Sequence, residues 1–288
     1  MPLLRHLLDC TSLPVSALCT RNPPLLPDTA INKAQRYHFP QDQALSFGSS
    51  LLQRHIVCTH YQHTLLSAPL ETEADTKRPF HTASATSAKD GQTIVEDYNV
   101  SHHRSPEGEK SLCILAAITS SVDGNRNKCR RIGVDVVPTV HPRDEKEFVS
   151  MMCDKEAGVF TDYEAATIMA AGGDGERTRC LYLHWGLKEA YVKAMGTGIV
   201  GELRGIEFRG VPDVRDFGEG RREVEVWVEG RDETGKWYVE VSFIGGNKER
   251  EGFYVAVCCD RTAVTEEDKK GQWREVTVEE VLRECGVE

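Results

Sequence analysis

Residues 132–137 read Ile-Gly-Val-Asp-Val-Val, a strand pattern that Pro138 ends. The sequence after it predicts a helix from about Pro142 to Asp154 and another that starts at Thr161, where the spacing to Glu164 is a capping box. A third helical pattern runs from about Arg177 to Met195, strand patterns follow near 205–211, 223–229, 237–244 and 253–259, and a last short helix comes after Thr277. This order predicts helices packed on one side of an antiparallel sheet, an α+β arrangement.

The sequence before this strand predicts a second α+β half. Two helices are expected at roughly 29–38 and 41–54, separated by Pro40, and a buried strand is expected at Lys110–Ile118. The stretch His81–Gly91 is expected to be a loop, and Asp123-Gly124-Asn125 is a strong turn signal. We therefore place the boundary at this turn, which divides the chain into residues 1–125 and 126–288.

Charge and composition limit the classes of function. The 288 residues include 35 Lys and Arg against 45 Asp and Glu, which gives a net charge of −10. A negatively charged protein repels nucleic acid at long range, so a nucleic-acid partner is not expected. An anionic ligand has to be held by a few well-placed cations or by a metal ion.

The cysteines and the apolar segments predict a cytoplasmic protein without a membrane partner. The ten cysteines contain no Cys-x-x-Cys pair and are expected to be reduced thiols, several of them buried. The longest apolar run, Leu112–Ile118, is far shorter than the roughly 20 residues that a membrane span needs. Arg5, His6 and Asp9 interrupt the N-terminal leucines, so a secretory signal is not expected.

The third predicted helix carries charged residues in an otherwise apolar setting. Trp185, Glu189 and Lys193 are spaced four residues apart and therefore lie along one stripe. A surface Glu–Lys pair beside a core tryptophan is one interpretation. The other sides of the helix are largely apolar, however, which favours a charged pair that faces a cleft.

Asp135 lies in the middle of the first strand, on the same face as Gly133 and Val137. Aspartate is a poor strand former, and a buried carboxylate needs a cation or hydrogen-bond donors nearby. A solvent-facing aspartate on an exposed sheet face is the alternative.

Two further segments carry candidate ligands or motifs. In the segment Asp97–His103, the Ser101 hydroxyl, backbone amides and the imidazole of His102 together suit a phosphate; a solvated loop histidine is the alternative, and zinc is not expected. Residues 196–201 match Gly-x-Gly-x-x-Gly, but they follow a helix instead of a strand. They are therefore predicted to end that helix and not to bind a dinucleotide.

Several motifs of this chain resemble those of the 4′-phosphopantetheinyl transferase superfamily in its larger, stand-alone surfactin-synthetase type. They occur in the same order along the chain as in that family. Gly133-Val134-Asp135-Val136 and Trp185-x-x-Lys188-Glu189-x-x-x-Lys193 resemble its paired signature, and Phe160-Thr161-x-x-Glu164 lies between them where the family has a similar element. Upstream, the segments that resemble its N-terminal elements are Lys33-x-x-Arg36-Tyr37, Arg78-Pro79-Phe80 and Asn99-x-Ser101-His102. The similarity spans about residues 23–260.

The resemblance implies two similar α+β halves related by a pseudo-twofold axis, with coenzyme A bound in the cleft between them. It implies transfer of the 4′-phosphopantetheine arm of coenzyme A to a serine of an apo carrier protein, with release of adenosine 3′,5′-bisphosphate and with Mg²⁺ as the metal. The expected carriers belong to fatty-acid, polyketide and nonribosomal peptide synthases or to an aminoadipate reductase of lysine biosynthesis. Two fused halves make a monomer the expectation.

The resemblance also implies roles for single residues. Asp135 and Glu189 are expected to bind Mg²⁺, Glu189 or a water that it orients is expected to accept the serine proton, and Lys193 is expected to stabilise charge on the leaving bisphosphate. The nucleotide phosphates are expected to contact Lys33, Arg36, Arg78, Asn99, Ser101 and His102. Bacterial members often carry a second acid two residues after the strand aspartate, whereas this chain has Val137 there. Water is therefore expected to complete the metal shell.

Two alternatives to this function stay open. One is a non-catalytic module that binds coenzyme A or carrier domains. The other is a different Mg²⁺-dependent phosphoryl or nucleotidyl transferase that uses the same two carboxylates.

Overall fold

The computed structural model describes residues 3–106, 110–122, 130–140, 145–198, 203–215, 220–245 and 252–287. Its contacts divide the chain into two units: unit 1 is Met1–Arg131 with Ala263–Glu288, and unit 2 is Ile132–Thr262. Helices pack on a mainly antiparallel sheet in each unit, which confirms the predicted α+β class.

The regular elements follow in chain order. They are β1 (Leu3–Asp9), α1 (Val15–Cys19), α2 (Asp28–Gln35), α3 (Pro40–His60), β2 (Leu70–Thr72), β3 (Pro79–His81), β4 (Thr93–Arg104), β5 (Ser111–Ser121), β6 (Ile132–Pro138), α4 (Glu145–Met152), α5 (Asp162–Ala170), α6 (Asp174–Met195), β7 (Ile206–Arg209), β8 (Arg221–Val228), β9 (Arg231–Asp232), β10 (Trp237–Ile244), β11 (Phe253–Asp260), β12 (Arg274–Glu275) and α7 (Val278–Glu284).

Unit 1 is built on the sheet β12-β1-β5-β4, with β2 and β3 forming a separate pair. Helix α3 begins with Pro40 at its first turn, where proline's missing amide costs nothing, and packs on β4 and β5. Its buried side chains, among them Phe47, Leu51 and Leu52, form the core of this unit. The helix runs to His60, beyond the predicted end at residue 54, because Ile56 and Val57 continue its buried face.

The C-terminal segment belongs to unit 1, whereas the prediction placed residues 126–288 in one half. Strand β12 pairs in parallel with β1, with His6 opposite Arg274. Helix α7 packs on α3, where His55 Nε2 lies 2.8 Å from Glu284 Oε2. These long-range pairings could not be read from local patterns. The predicted boundary turn at residues 123–125 lies outside the described residues.

Unit 2 is built on the sheet β6-β11-β10-β8-β7, with β9 paired to β8. Helix α6 packs against β6 and β11, and α4 and α5 pack against α6. The side chains between sheet and helices are apolar, for example Val137, Leu187 and Val239. The helices therefore cover the sheet face that Asp135 shares with Val137.

The predicted helix caps of both units are confirmed. Both capping boxes form: Thr161 and Glu164 exchange hydrogen bonds at the start of α5, and Thr277 with Glu280 does the same at the start of α7 in unit 1. Gly196 ends α6 in the left-handed conformation, with φ of 70°, as predicted for a helix C-cap. The predicted helix start at Pro142 and residues 199–201 of the glycine motif lie outside the described residues.

The state of the cysteines and the hydropathy of the helices bear on two further predictions. The nine cysteines in the described part of the chain are free thiols, and most of them are buried. Among the described residues, none of the helices combines the length and hydropathy that crossing a membrane requires.

Candidate active site

The site in unit 2 depends on a close approach between β6 and α6. A Cβ added to Gly133 would lie 2.1 Å from the Ala190 carbonyl oxygen and 2.3 Å from the Ala194 amide nitrogen. These contacts are with helix backbone, so only a residue without a side chain fits at this crossing. Gly133 thus brings the helical residues 189–193 close to the strand.

Asp135 lies two residues further along β6 and faces the same helix. Its side chain is buried, and Lys193 Nζ donates to Asp135 Oδ1 at 2.6 Å and to the Val134 carbonyl oxygen at 3.2 Å. The alternative of a solvent-facing aspartate is therefore wrong. Lys193 is the cation that the burial of Asp135 requires.

Glu189 lies one turn before Lys193 on α6 and is half-buried. Its Oε1 atom is buried and has no hydrogen-bond partner within the described chain. Burial, and after it the charge of Asp135, raise the pKa of Glu189, while Lys193 opposes that rise. The two carboxylates are thus near enough to interact, and a raised pKa suits a carboxylate that accepts a proton.

Asp135 and Glu189 are the candidate ligands for the predicted magnesium ion. Mg²⁺ prefers oxygen ligands and is commonly held by one or two carboxylates together with substrate phosphate and water. Asp135 and Glu189 offer two carboxylates, and the buried Glu189 Oε1 lacks a partner among the described atoms. Within the described ranges, no group of three or more His, Cys, Asp or Glu is placed to hold a metal ion. Val137 packs in the apolar core, so phosphate and water oxygens would have to complete the shell.

Lys188 precedes Glu189 in sequence but points to a different environment. Its side chain is wholly buried, and its ammonium group lies 2.7 Å from Glu164 Oε2, itself wholly buried. Burial lowers the pKa of Lys188, and the charge of Glu164 opposes this effect. The sequence alone assigned Lys188 no role; the available signal was its occurrence together with Phe160-Thr161-x-x-Glu164.

Two members of the predicted phosphate-binding set lie together at the end of α2 in unit 1. Lys33 lies in the last turn of α2 and Arg36 at its C-cap, and both are exposed. Arg104, at the end of β4, stacks over Phe39 at 5.5 Å and lies 3.8 Å from Asp42. The end of β4 therefore lies beside the α2–α3 connection. Arg104 follows His102 by only two residues and was not considered in the sequence analysis.

Other members of the predicted phosphate set are placed differently. Strand alternation puts Asn99 and Ser101 on one face of β4, where both are buried, and His102 on the opposite face, where it is exposed. Arg78 is buried and its guanidinium lies 2.5 Å from Asp97, five residues before His102 on the same strand. The phosphate contacts of these residues stay predictions.

Comparison with known proteins points to one family. The sequence model of the family described as the 4′-phosphopantetheinyl transferase superfamily matches residues 131–258. These residues belong to the 4′-phosphopantetheinyl transferase superfamily. The transferase-superfamily domain contains Asp135, Glu189 and Lys193, and the resemblance inferred from the motifs is confirmed.

Curated relatives from eukaryotes are similar to this chain. The Xenopus laevis protein named L-aminoadipate-semialdehyde dehydrogenase-phosphopantetheinyl transferase is 27% identical over 200 residues, which cover 69% of this chain and 58% of the relative. The human protein of the same name is 31% identical over 116 residues, 40% of this chain and 36% of the relative. The 4′-phosphopantetheinyl transferase NpgA of Emericella nidulans is 26% identical over 204 residues, 62% of this chain and 57% of the relative. The matched part of the chain thus covers no more than 58% of the length of any of these three relatives.

Proposed function

We propose that this protein transfers the 4′-phosphopantetheine arm of coenzyme A to a serine hydroxyl of an apo carrier protein and releases adenosine 3′,5′-bisphosphate. The observation that supports this most is the meeting of Asp135, Glu189 and Lys193 in one site of the transferase-superfamily domain. The names of the relatives support the same reaction.

The chemistry explains why these residue types are needed. The serine oxygen forms a bond to the phosphorus that carries the pantetheine arm, and the bond from that phosphorus to the bisphosphate oxygen breaks. The serine proton has to leave, and negative charge grows on the bisphosphate. Catalysis is therefore mostly positioning and charge neutralisation.

Each of the three side chains has a proposed role in this reaction. Glu189, with its raised pKa and its unpartnered oxygen among the described atoms, accepts the proton directly or through a water. Asp135 and Glu189 would hold Mg²⁺, which when bound supplies positive charge to the diphosphate oxygens. Lys193, now paired with Asp135, provides a cation for the leaving bisphosphate.

Coenzyme A and the carrier proteins are the proposed substrates. We place the nucleotide phosphates on Lys33, Arg36, Arg78, Asn99, Ser101 and His102. The pseudo-twofold relation of the two halves and a cleft between them stay predictions. We further propose a cytoplasmic monomer that serves carrier domains of fatty-acid, polyketide or peptide synthases or of an aminoadipate reductase. The last is favoured because several relatives are named for L-aminoadipate-semialdehyde dehydrogenase.

Mass spectrometry of a carrier protein tests this function. The protein is incubated with coenzyme A, Mg²⁺ and an apo carrier, and the expected result is a carrier heavier by one phosphopantetheine group. A carrier whose acceptor serine is replaced by alanine, and a reaction with the metal chelated, should both show no increase. An unchanged mass for carriers of all four classes would contradict the proposal and favour a non-catalytic binding module.

A further inference from the structure

Lys188 uses every donor of its ammonium group. Nζ lies 2.7 Å from Glu164 Oε2, donates to the Leu203 carbonyl oxygen at 2.9 Å and also donates to the Ile206 carbonyl oxygen. An ammonium group has three N–H donors and no acceptor, so this set of partners satisfies it completely. The ammonium group also lies 5.7 Å from the centre of the Phe160 ring.

Both oxygens of Glu164, the partner carboxylate, also accept hydrogen bonds. Its Oε2 atom also accepts from the Thr161 amide at 3.0 Å, and its Oε1 atom accepts from the Phe208 amide at 3.0 Å. Lys188 and Glu164 thus tie α6 to the start of α5, to the 3-10 turn Leu203–Gly205 and to β7. Both side chains have no exposed surface.

This junction and Gly133 hold α6 in different ways. The Gly133 crossing sets how close α6 comes to β6, because backbone meets backbone there. Lys188 is bonded to α5 and β7 and therefore resists rotation and sliding of the helix. Consecutive residues of a helix differ by about 100° in direction, so a turn of the helix at residue 188 is transmitted directly to residue 189.

We propose that Lys188 is a positioning residue, which fixes the rotation of α6 so that Glu189 faces Asp135. The inference rests on the proposed function only in that Glu189 is the group to be positioned. A purely stabilising buried ion pair is the competing explanation, because loss of one partner leaves a buried charge unpaired.

Substitution of the pair distinguishes the two explanations. The Lys188→Met variant keeps much of the side-chain volume but loses all three hydrogen bonds. We expect kcat to fall about 10- to 100-fold, the range seen when groups that orient an active residue are removed, while KM for coenzyme A changes less than about 3-fold. Its crystal structure should show the Glu189 carboxylate displaced by about 1 Å or more from its place beside Asp135.

A double variant covers the case in which Lys188→Met does not fold. Lys188→Met combined with Glu164→Gln leaves no buried charge at the junction and should recover stability, but it still lacks the ammonium group. A kcat that stays low after stability has returned supports the positioning role. A kcat that recovers together with stability overturns it.

The matched control is the exposed pair at the same end of α5. Lys155 lies 3.1 Å from Asp162, and both side chains are more than half exposed, at 71% and 66%. Lys155→Met should leave kcat within about 2-fold of the wild type. If the wild type transfers no arm to any carrier, the proposed function fails, but the crystal structures still decide this inference: a Glu189 carboxylate unmoved in Lys188→Met overturns it.

Discussion

Glu189 is the residue where burial and charge act most directly on the proposed reaction. Its carboxylate shares a partly buried site with Asp135, and both burial and Asp135 raise the pKa of Glu189. A carboxylate that ionises at higher pH than usual is a stronger base once it is ionised. The neighbouring Lys193 limits this rise and keeps the ionised form accessible.

The first prediction concerns the Glu189→Gln variant. Loss of the base and of one metal ligand should lower kcat by at least about 100-fold. In the wild type, activity should fall as the pH drops, because protonation of Glu189 removes both the proton acceptor and a metal ligand. Steady-state kinetics between pH 5 and 8 checks both.

The control is the pH dependence of the low rate that remains in Glu189→Gln. Glutamine does not titrate, so the acid-side decline due to residue 189 should be absent from it. An equally steep decline in Glu189→Gln would assign the pH dependence to another group.

The exposed cations of α2 lead to a second prediction. Lys33 and Arg36 are both exposed near the end of α2, and within the described part of the chain neither forms an ion pair with a carboxylate. Replacing both with alanine should raise KM for coenzyme A about 10-fold or more and leave kcat nearly unchanged, because their proposed role is to bind a nucleotide phosphate and not to act on the transferred group. Lys270→Ala, an exposed lysine of the same unit, is the control and should leave KM unaltered. A double variant with wild-type KM would remove these two residues from the binding site.

At the scale of elements, the contact between β6 and α6 brings the side chains of the candidate site together. A Cβ at position 133 would enter the helix backbone, with the Ala190 carbonyl oxygen at 2.1 Å. The third prediction is that Gly133→Ala lowers the free energy of unfolding by about 1–3 kcal/mol, the usual cost of overpacking. It should also lower kcat about 10- to 100-fold, since the helix that carries Glu189 must move. Chemical denaturation and kinetics measure the two effects.

Gly235 provides the matched control for this substitution. A Cβ there would meet no atom within 4 Å. Gly235→Ala should therefore change the free energy of unfolding by no more than about 0.5 kcal/mol and leave kcat unchanged. Equal effects of the two substitutions would show that the close approach of α6 at Gly133 is not the cause of the losses in stability and kcat.

The sequence predicted elements with strong local signals and missed those without them. The helix caps at Thr161 and Gly196 and strands β8, β10 and β11 follow from short-range chemistry. Strand β4 was not recognised because Glu96, Asp97 and Asn99 are poor strand formers; their polar side chains are accommodated by tertiary contacts such as Arg78 with Asp97. Strand β1 was missed because Arg5 and His6 interrupt its apolar pattern.

The candidate site was predictable only in part. The stripe of Glu189 and Lys193 follows from helical spacing, and the face of Asp135 follows from strand alternation. That Lys193 pairs with Asp135, 58 residues earlier, depends on how α6 crosses β6. The meeting of strand and helix was therefore suggested by family resemblance and not by any local pattern.

At the scale of the whole molecule, the C-terminal segment brings a titratable cluster into unit 1. The rings of His6 on β1 and His55 on α3 lie 5.5 Å apart, and Glu284, paired with Arg274, contacts His55. Burial, and then the charge of His55, lower the pKa of His6 to about 3. Burial also lowers the pKa of His55, although Glu284 opposes this.

The fourth prediction is a loss of stability in mild acid. Because the folded His6 ionises near pH 3 and an unfolded histidine near 6.5, the unfolded state binds more protons between these values. The stabilising effect of neutral His6 is complete above about pH 6.5 and decreases as the pH falls. His6 alone should lower the free energy of unfolding by about 2 kcal/mol between pH 7 and pH 5. Urea denaturation at the two pH values measures it.

Two variants separate this effect from general acid sensitivity. His6→Met removes the buried titrating group and should reduce the loss between pH 7 and pH 5 by about the amount assigned to His6. His63→Gln, at a half-buried histidine in the loop that follows α3, should leave the loss as it is in the wild type. An unchanged pH dependence in His6→Met would contradict the prediction.

The proposal that Asp135 and Glu189 share a metal ion is tested most directly by a crystal structure of the protein with Mg²⁺ and coenzyme A. We expect one ion at about 2.0–2.1 Å from an oxygen of each carboxylate and from a diphosphate oxygen of coenzyme A. An ion bound elsewhere, or bound without one of these two side chains, would contradict the account.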